Sequence, residues 1–141
     1  MTDIDIPEIE RRKRYLKRYK KNNALIDRLE NKLSMLDERI YSLRSPIISD
    51  MPKGGAKITN EDLIAEKKEL EDRINRLLLK GRTYKGEILE KIDELEDPRY
   101  AEILEAFFID LKGFEEIGEN MGYTTRHVIR LYSEAIASMS F

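Results

Sequence analysis

The sequence predicts an all-α fold, with two long helices forming a coiled-coil-like hairpin ahead of a small C-terminal domain of short helices. Three observations carry this expectation. Apolar residues recur at alternating spacings of three and four through most of the first 95 positions. Proline falls only at positions 7, 46, 52 and 98, where helices would start or break. Charged residues make up 38% of the 141 and Trp is absent, so the apolar material is spread along helix stripes rather than gathered in one thick core. The expected division is residues 1–96 for the hairpin, with a connector over about 45–60, and residues 97–141 for the small domain.

Residues 1–6 read as a short lead, and Pro7 suits a first helical turn, where its missing N–H is no loss. From there to about Arg44 neither Gly nor Pro intervenes. Ile26, Leu29, Leu33, Leu36, Ile40 and Leu43 give the seam of a coiled coil. Extended backwards, the seam takes Asn22, Tyr19, Tyr15 and Arg12, and so becomes polar towards the N-terminus. An uninterrupted helix of ~38 residues would be about 57 Å long, more than a domain this small can cover.

Eight of the eleven residues from Arg11 to Lys21 are basic, with Tyr15 and Tyr19 between them. Two readings stay open. One is a phosphate-tracking helix, with Arg11, Arg12, Arg14, Lys17, Arg18 and Lys21 as possible contacts, because clustered cations release condensed counterions on binding DNA. The other is a solvated helix start. The helix macrodipole disfavours cations there, so local helix stability does not explain the cluster.

Ser45 to Asn60 holds Pro46, Pro52 and Gly54-Gly55, and reads as the connector. Its Gly-Gly-Ala-Lys run lacks the spacing of a phosphate loop. Thr59-Asn60-Glu61-Asp62 then opens the second long helix with capping and acidic first-turn residues. Leu63, Leu70, Ile74, Leu77, Tyr84, Ile88 and Leu95 continue a three/four stripe. Gly81 and Gly86 each weaken this helix by about 1 kcal/mol relative to Ala and mark a bend or a close crossing. The stripes most simply form an antiparallel hairpin within one chain; the alternative is a homodimer through the long helices.

Asp97 and Pro98 supply a cap and a first helical residue for the next helix, in which Ile103, Leu104, Phe107, Phe108 and Leu111 are apolar before Lys112-Gly113. A domain of ~45 residues buries too little surface alone, so it is expected to lean on the preceding helix.

From Phe114 to Ser133 the sequence has the spacing of a helix-turn-helix. Ile117 and Met121 would line the inner face of its first helix, and Gly118 would admit a close crossing. Gly122 sits where the chain must reverse, and Tyr123 plugs the turn. Thr124 is a good N-cap for the second helix. Val128 and Leu131 would bury that helix, leaving Thr125, Arg126, His127, Ile129 and Arg130 outward. An outward Thr-Arg-His-x-x-Arg face suits a recognition helix in a major groove. The competing reading is an ordinary helical hairpin with solvated outer residues.

The chain has no Cys and one His, so a zinc site or a nucleophile–base pair would have to be improvised from carboxylates. Its 28 acidic and 26 basic residues are interleaved as on solvated helix faces. No catalytic activity, metal or cofactor is expected. Neither a membrane span nor a signal-peptide core is recognisable, and a cytoplasmic location is expected. The net charge of −2 is not that of a typical nucleic-acid binder, and residues 98–141 hold four Lys/Arg against seven Asp/Glu.

The run from Glu116 to Ile136 resembles region 4 of sigma-70-type factors. The chain as a whole resembles the small late-transcription regulators of phages and prophages of Gram-positive bacteria, the RinA/ArpU-like group. The long charged helices, Asn60-Glu-Asp-Leu-Ile, Ile92-Asp-Glu-Leu-Glu-Asp-Pro-Arg-Tyr and Phe114-Glu-Glu-Ile-Gly-Glu-Asn-Met-Gly-Tyr-Thr carry that likeness. The resemblance implies a sequence-specific binder of double-stranded DNA that activates late phage genes together with host RNA polymerase. It also implies that Thr124, Thr125, Arg126, His127 and Arg130 face DNA. Two other readings stand beside it: a small terminase-like DNA-packaging protein, and a coiled-coil protein-interaction module that does not bind DNA.

Overall fold

A computed structural model describes residues 6–44 and 60–141, which are all-α: among the described residues there are six helices and no strand. They are α1 (Ile6–Leu16), α2 (Arg18–Arg44), α3 (Asn60–Asp93), α4 (Pro98–Phe108), α5 (Phe114–Met121) and α6 (Thr125–Ser138). No helix among them is long and apolar enough to cross a membrane. The connector expected over about 45–60 lies outside the described residues except for Asn60, which begins α3.

The expected single helix from Pro7 to Arg44 is instead two, α1 and α2, with a turn at Lys17. Arg18 supplies the physical reason. Its Nε donates to the Tyr15 carbonyl at 3.0 Å, while its guanidinium lies 3.9 Å from the centre of the Tyr15 ring. The irregularity is local, because the backbone N–H groups of Lys17 and Lys21 still reach the carbonyls four residues back.

The chain forms two compact units, and their boundaries fall inside α2 and α3 rather than at residue 97. The contiguous unit runs from Ala24 to Leu79. Its core is Ile26, Leu29, Leu36 and Ile40 from α2 with Leu63, Leu70 and Ile74 from α3, flanked by half-buried Leu33 and Leu77. Each such side chain contributes about 1.5–3 kcal/mol on full burial. The three/four spacing therefore selected the right residues. Lys67 of α3 pairs with Asp37 of α2 at 2.8 Å along one side of the stripe. Leu43, at the end of the seam, is exposed.

The other unit joins Met1–Asn23 to Lys80–Phe141. Its core takes Ile103, Leu104 and Phe108 from α4, Ile117 from α5, and Val128, Leu131, Tyr132, Ala135 and Ile136 from α6. Leu16 of α1 and Ile88 and Ile92 of α3, all with no exposed surface, join it together with Ile109 and Met139. The short helices thus lean on the end of α3, as their size requires, and also on α1.

Asp97 caps α4 by accepting the Arg99 N–H at 2.9 Å. This helix ends at Phe108, so Leu111, expected on its apolar face, lies in the loop beyond. There the Lys112 N–H closes back onto the Ala106 carbonyl at 2.9 Å, and Leu111 takes a left-handed φ of 58° with 39% of its surface exposed. Phe107, Phe114 and Tyr132 form an aromatic cluster, the first two stacked with ring centres 4.6 Å apart.

Candidate nucleic-acid interface

The turn between α5 and α6 is set by two glycines and a threonine. Gly122 ends α5 in the left-handed region, with φ 73° and ψ 29°, where a side chain would be strained. The Tyr123 N–H reaches back to the Gly118 carbonyl at 2.8 Å. A Cβ on Gly118 would stand 2.7 Å from the Tyr123 carbonyl oxygen, so only glycine lets the turn close this tightly. Thr124 then caps α6, its hydroxyl accepting the His127 N–H at 3.1 Å.

With this entry angle fixed, α6 buries Val128, Leu131, Tyr132, Ala135 and Ile136. Thr125, Arg126, Ile129, Arg130 and Ser133 are exposed. Positions 126, 129, 130 and 133 follow the i, i+3, i+4, i+7 order of a single helix face. A shallow groove of about 660 Å³ runs along it, lined by Thr124, Arg126, His127, Ile129, Arg130, Ser133 and Glu134. Ile129 and Ser133 belong to this surface as much as the expected polar residues do. Helical spacing from Arg126 and Arg130 was the signal that picks them out.

His127 is only half-exposed. Its ring stands edge-on to Tyr123 with centres 4.7 Å apart, and its Nδ1 lies 2.8 Å from an Arg130 guanidinium nitrogen. Arginine can only donate, so Nδ1 stands as the acceptor in this contact. His127 therefore braces Arg130 from behind. Glu134, the acidic residue on the groove wall, accepts the Tyr100 hydroxyl at 2.9 Å, and this bond raises the Tyr100 pKa above its ordinary value.

The basic residues from Arg11 to Lys21, which span α1, the turn at Lys17 and the start of α2, separate by what they contact. Arg12 and Arg18 are committed to the protein itself. Arg12 donates to the carbonyls of Ile136 and Ala137 at 2.9 and 3.1 Å, contacts Glu8, and lies 5.2 Å from the Phe141 ring centre. Arg18 pairs with Glu87 at 2.7 Å between the rings of Tyr15 and Tyr84. Arg11 is largely exposed yet bonded to Glu8 at 2.7 Å, which holds that carboxyl below its ordinary pKa. Arg14 and Lys21 are exposed and Lys17 is half-buried. None of these three enters an ion pair with a described residue.

Among the described residues no group of three or more His, Cys, Asp or Glu is arranged to hold a metal ion. Compared with protein-family models, curated proteins and solved structures, the chain matches none of them.

Proposed function

We propose that this protein is a DNA-binding transcription regulator in which α5 and α6 act as a helix-turn-helix and α6 enters a major groove. One observation carries the reading: Arg126 and Arg130 project from one exposed face of a helix whose entry is fixed by Gly122 and whose N-terminus is capped by Thr124. Arg126 and Arg130 are the candidates for guanine edges or phosphates, and Thr125 for a phosphate or base edge. Ile129, 43% exposed between them, suits apolar contact with a thymine methyl group.

The four-to-seven charge deficit of residues 98–141 is the main argument against this reading. What offsets it is Leu16, which ties the basic stretch from Arg11 to Lys21 into the same core as α6. Arg14, Lys17 and Lys21 then supply phosphate attraction, and α6 supplies selectivity. By the resemblance to sigma-70 region 4 and to the RinA/ArpU-like group, the regulator activates late phage genes with host RNA polymerase. The two long helices close in this reading as an antiparallel hairpin within one chain.

The test is fluorescence anisotropy with a randomised duplex pool at low salt, followed by selection for the preferred sequence. Arg126→Ala and Arg130→Ala are each expected to weaken binding to the selected duplex by about 10- to 100-fold. Equal affinity of both variants and the parent would falsify the assignment of α6. The acidic balance of residues 98–141 favours a second reading, a protein-interaction module. That reading predicts no duplex binding even at low salt, where a DNA binder is at its tightest.

A further inference from the structure

The face of α3 in the contiguous unit carries charges in an order that the proposed DNA contact does not use. Glu66, Glu69, Arg73 and Arg76 follow spacings of three, four and three, beside the buried stripe of Leu63, Leu70 and Ile74. All four are exposed, and none pairs with a described residue. The acidic pair precedes the basic pair. Two copies of this row laid antiparallel set Glu69 against Arg73 and Glu66 against Arg76 of the second copy, and the reverse by symmetry. Laid parallel and in register, the same rows set like charge on like charge.

We propose that a second copy of this chain docks on this face, with the two α3 helices antiparallel about a two-fold axis level with residue 71. A two-fold contact must be complementary to itself, and this charge order meets that condition in one orientation only. Flanking charges of this kind choose partner and register in helical assemblies. The exposed pairs contribute little affinity themselves, so their part is orientation.

Affinity comes from the floor. A groove of about 400 Å³ runs between α2 and α3 here, with Leu36 and Leu70 at its base and Met35, 67% exposed, on its rim. Lys32 and Arg39 stand on the α2 bank with long stems that carry their charges outward to solvent. The stretch Leu63–Leu79 is about 25 Å long and two packed helices are about 20 Å across. Each copy therefore offers about 500 Å² of face. The total is near the ~1,000 Å² lower limit of specific interfaces, which makes this a weak, concentration-dependent dimer.

Sedimentation velocity on the full chain from about 1 to 100 µM tests it, in the range where a weak dimer forms and dissociates. The parent is expected to pass from monomer to dimer, with association weakening as salt rises. Glu66→Lys with Glu69→Lys, and separately Arg73→Glu with Arg76→Glu, are each expected to weaken self-association at least about tenfold. Mixing the two double variants restores a dimer, because an all-basic row then meets an all-acidic one. Circular dichroism of each variant checks that the helices persist. The single changes Glu69→Lys and Arg73→Glu repeat the comparison with a smaller perturbation. A parent that stays monomeric throughout, a double variant that dimerises as the parent does, or a mixture that stays monomeric each overturns the proposal.

Discussion

The guanidinium of Arg12 donates a 2.9 Å hydrogen bond to the carbonyl oxygen of Ile136, across 124 residues of sequence. A second bond, to Ala137, makes this side chain the cap of the last turn of α6. Cations there are favoured by the carbonyl end of the helix dipole. Arg12 is basic, and lies in a basic cluster, but its charge is used inside the fold.

Arg12→Ala is therefore expected to lower stability by about 1–2 kcal/mol in urea denaturation, through lost carbonyl bonds and lost packing. DNA affinity of the folded variant should change little. Arg14→Ala and Lys21→Ala should do the opposite, lowering affinity and its salt dependence at unchanged stability. Equal stability with weakened binding in Arg12→Ala would return that residue to the phosphate contacts.

The two glycines of α3 should respond differently to alanine. Nothing stands within 4 Å of a Cβ built on Gly86, so Gly86→Ala should stabilise by about 1 kcal/mol through helix propensity. A Cβ on Gly81 would lie 2.9 Å from the side-chain nitrogen of Asn22, which is itself buried. Gly81→Ala should lose that gain or destabilise. Combining it with Asn22→Ala should give a double variant more stable than the two single effects added together. Thermal unfolding of all four proteins reads the difference, and identical shifts for Gly81→Ala and Gly86→Ala would remove the close crossing.

Leu111 holds a left-handed backbone that costs a non-glycine residue about 1–2 kcal/mol. Leu111→Gly relieves that strain and gives back part of it through a freer unfolded chain. A net gain of about 0.5–1 kcal/mol in denaturant unfolding is expected. Destabilisation instead would mean that the exposed leucine makes contacts worth more than its strain.

Burial pushes the Tyr132 hydroxyl up to about 12, with Glu10 adding to the effect. The folded protein therefore keeps this proton at pH values where the unfolded chain, with an ordinary tyrosine pKa of about 10, has lost it. Tyr132's contribution is complete below pH about 10 and is lost as pH rises towards 12. In Tyr132→Phe the alkaline fall in stability should be shallower, measured by melting temperature between pH 8 and pH 12, values chosen to span about two units either side of the ordinary tyrosine pKa.

Local signals were legible wherever one residue type answers one local need. Asp97 and Thr124 accept the N–H groups their positions imply, and Gly122 takes the positive φ that the reversal demands. The stripes of α2 and α3 named the core of the contiguous unit because helical spacing alone decides which side is apolar. Partner choice was not legible. Leu16 sits in a basic stretch, off the seam drawn through Tyr15 and Tyr19, yet it is fully buried among residues from α3 to α6. The break at Lys17 depends on one arginine reaching a carbonyl, an event that propensity does not encode. In the candidate interface, the outward positions of α6 followed from spacing, whereas the bonds of Arg12, Arg18 and Glu134 required the folded neighbours.

The burial of Leu16 among residues that follow Lys80 also carries an order of events. During synthesis α1 emerges before α2 to α6, and most of its neighbours arrive only after Leu79. The contiguous stretch from Ala24 to Leu79 can close in the meantime with nearer partners. Once closed, it replaces a long flexible loop with a short one, which lowers the entropy lost when α1 meets the end of α3. α1 thus leaves the ribosome ahead of α2 to α6 and finds its place after α2 and α3 have closed on each other.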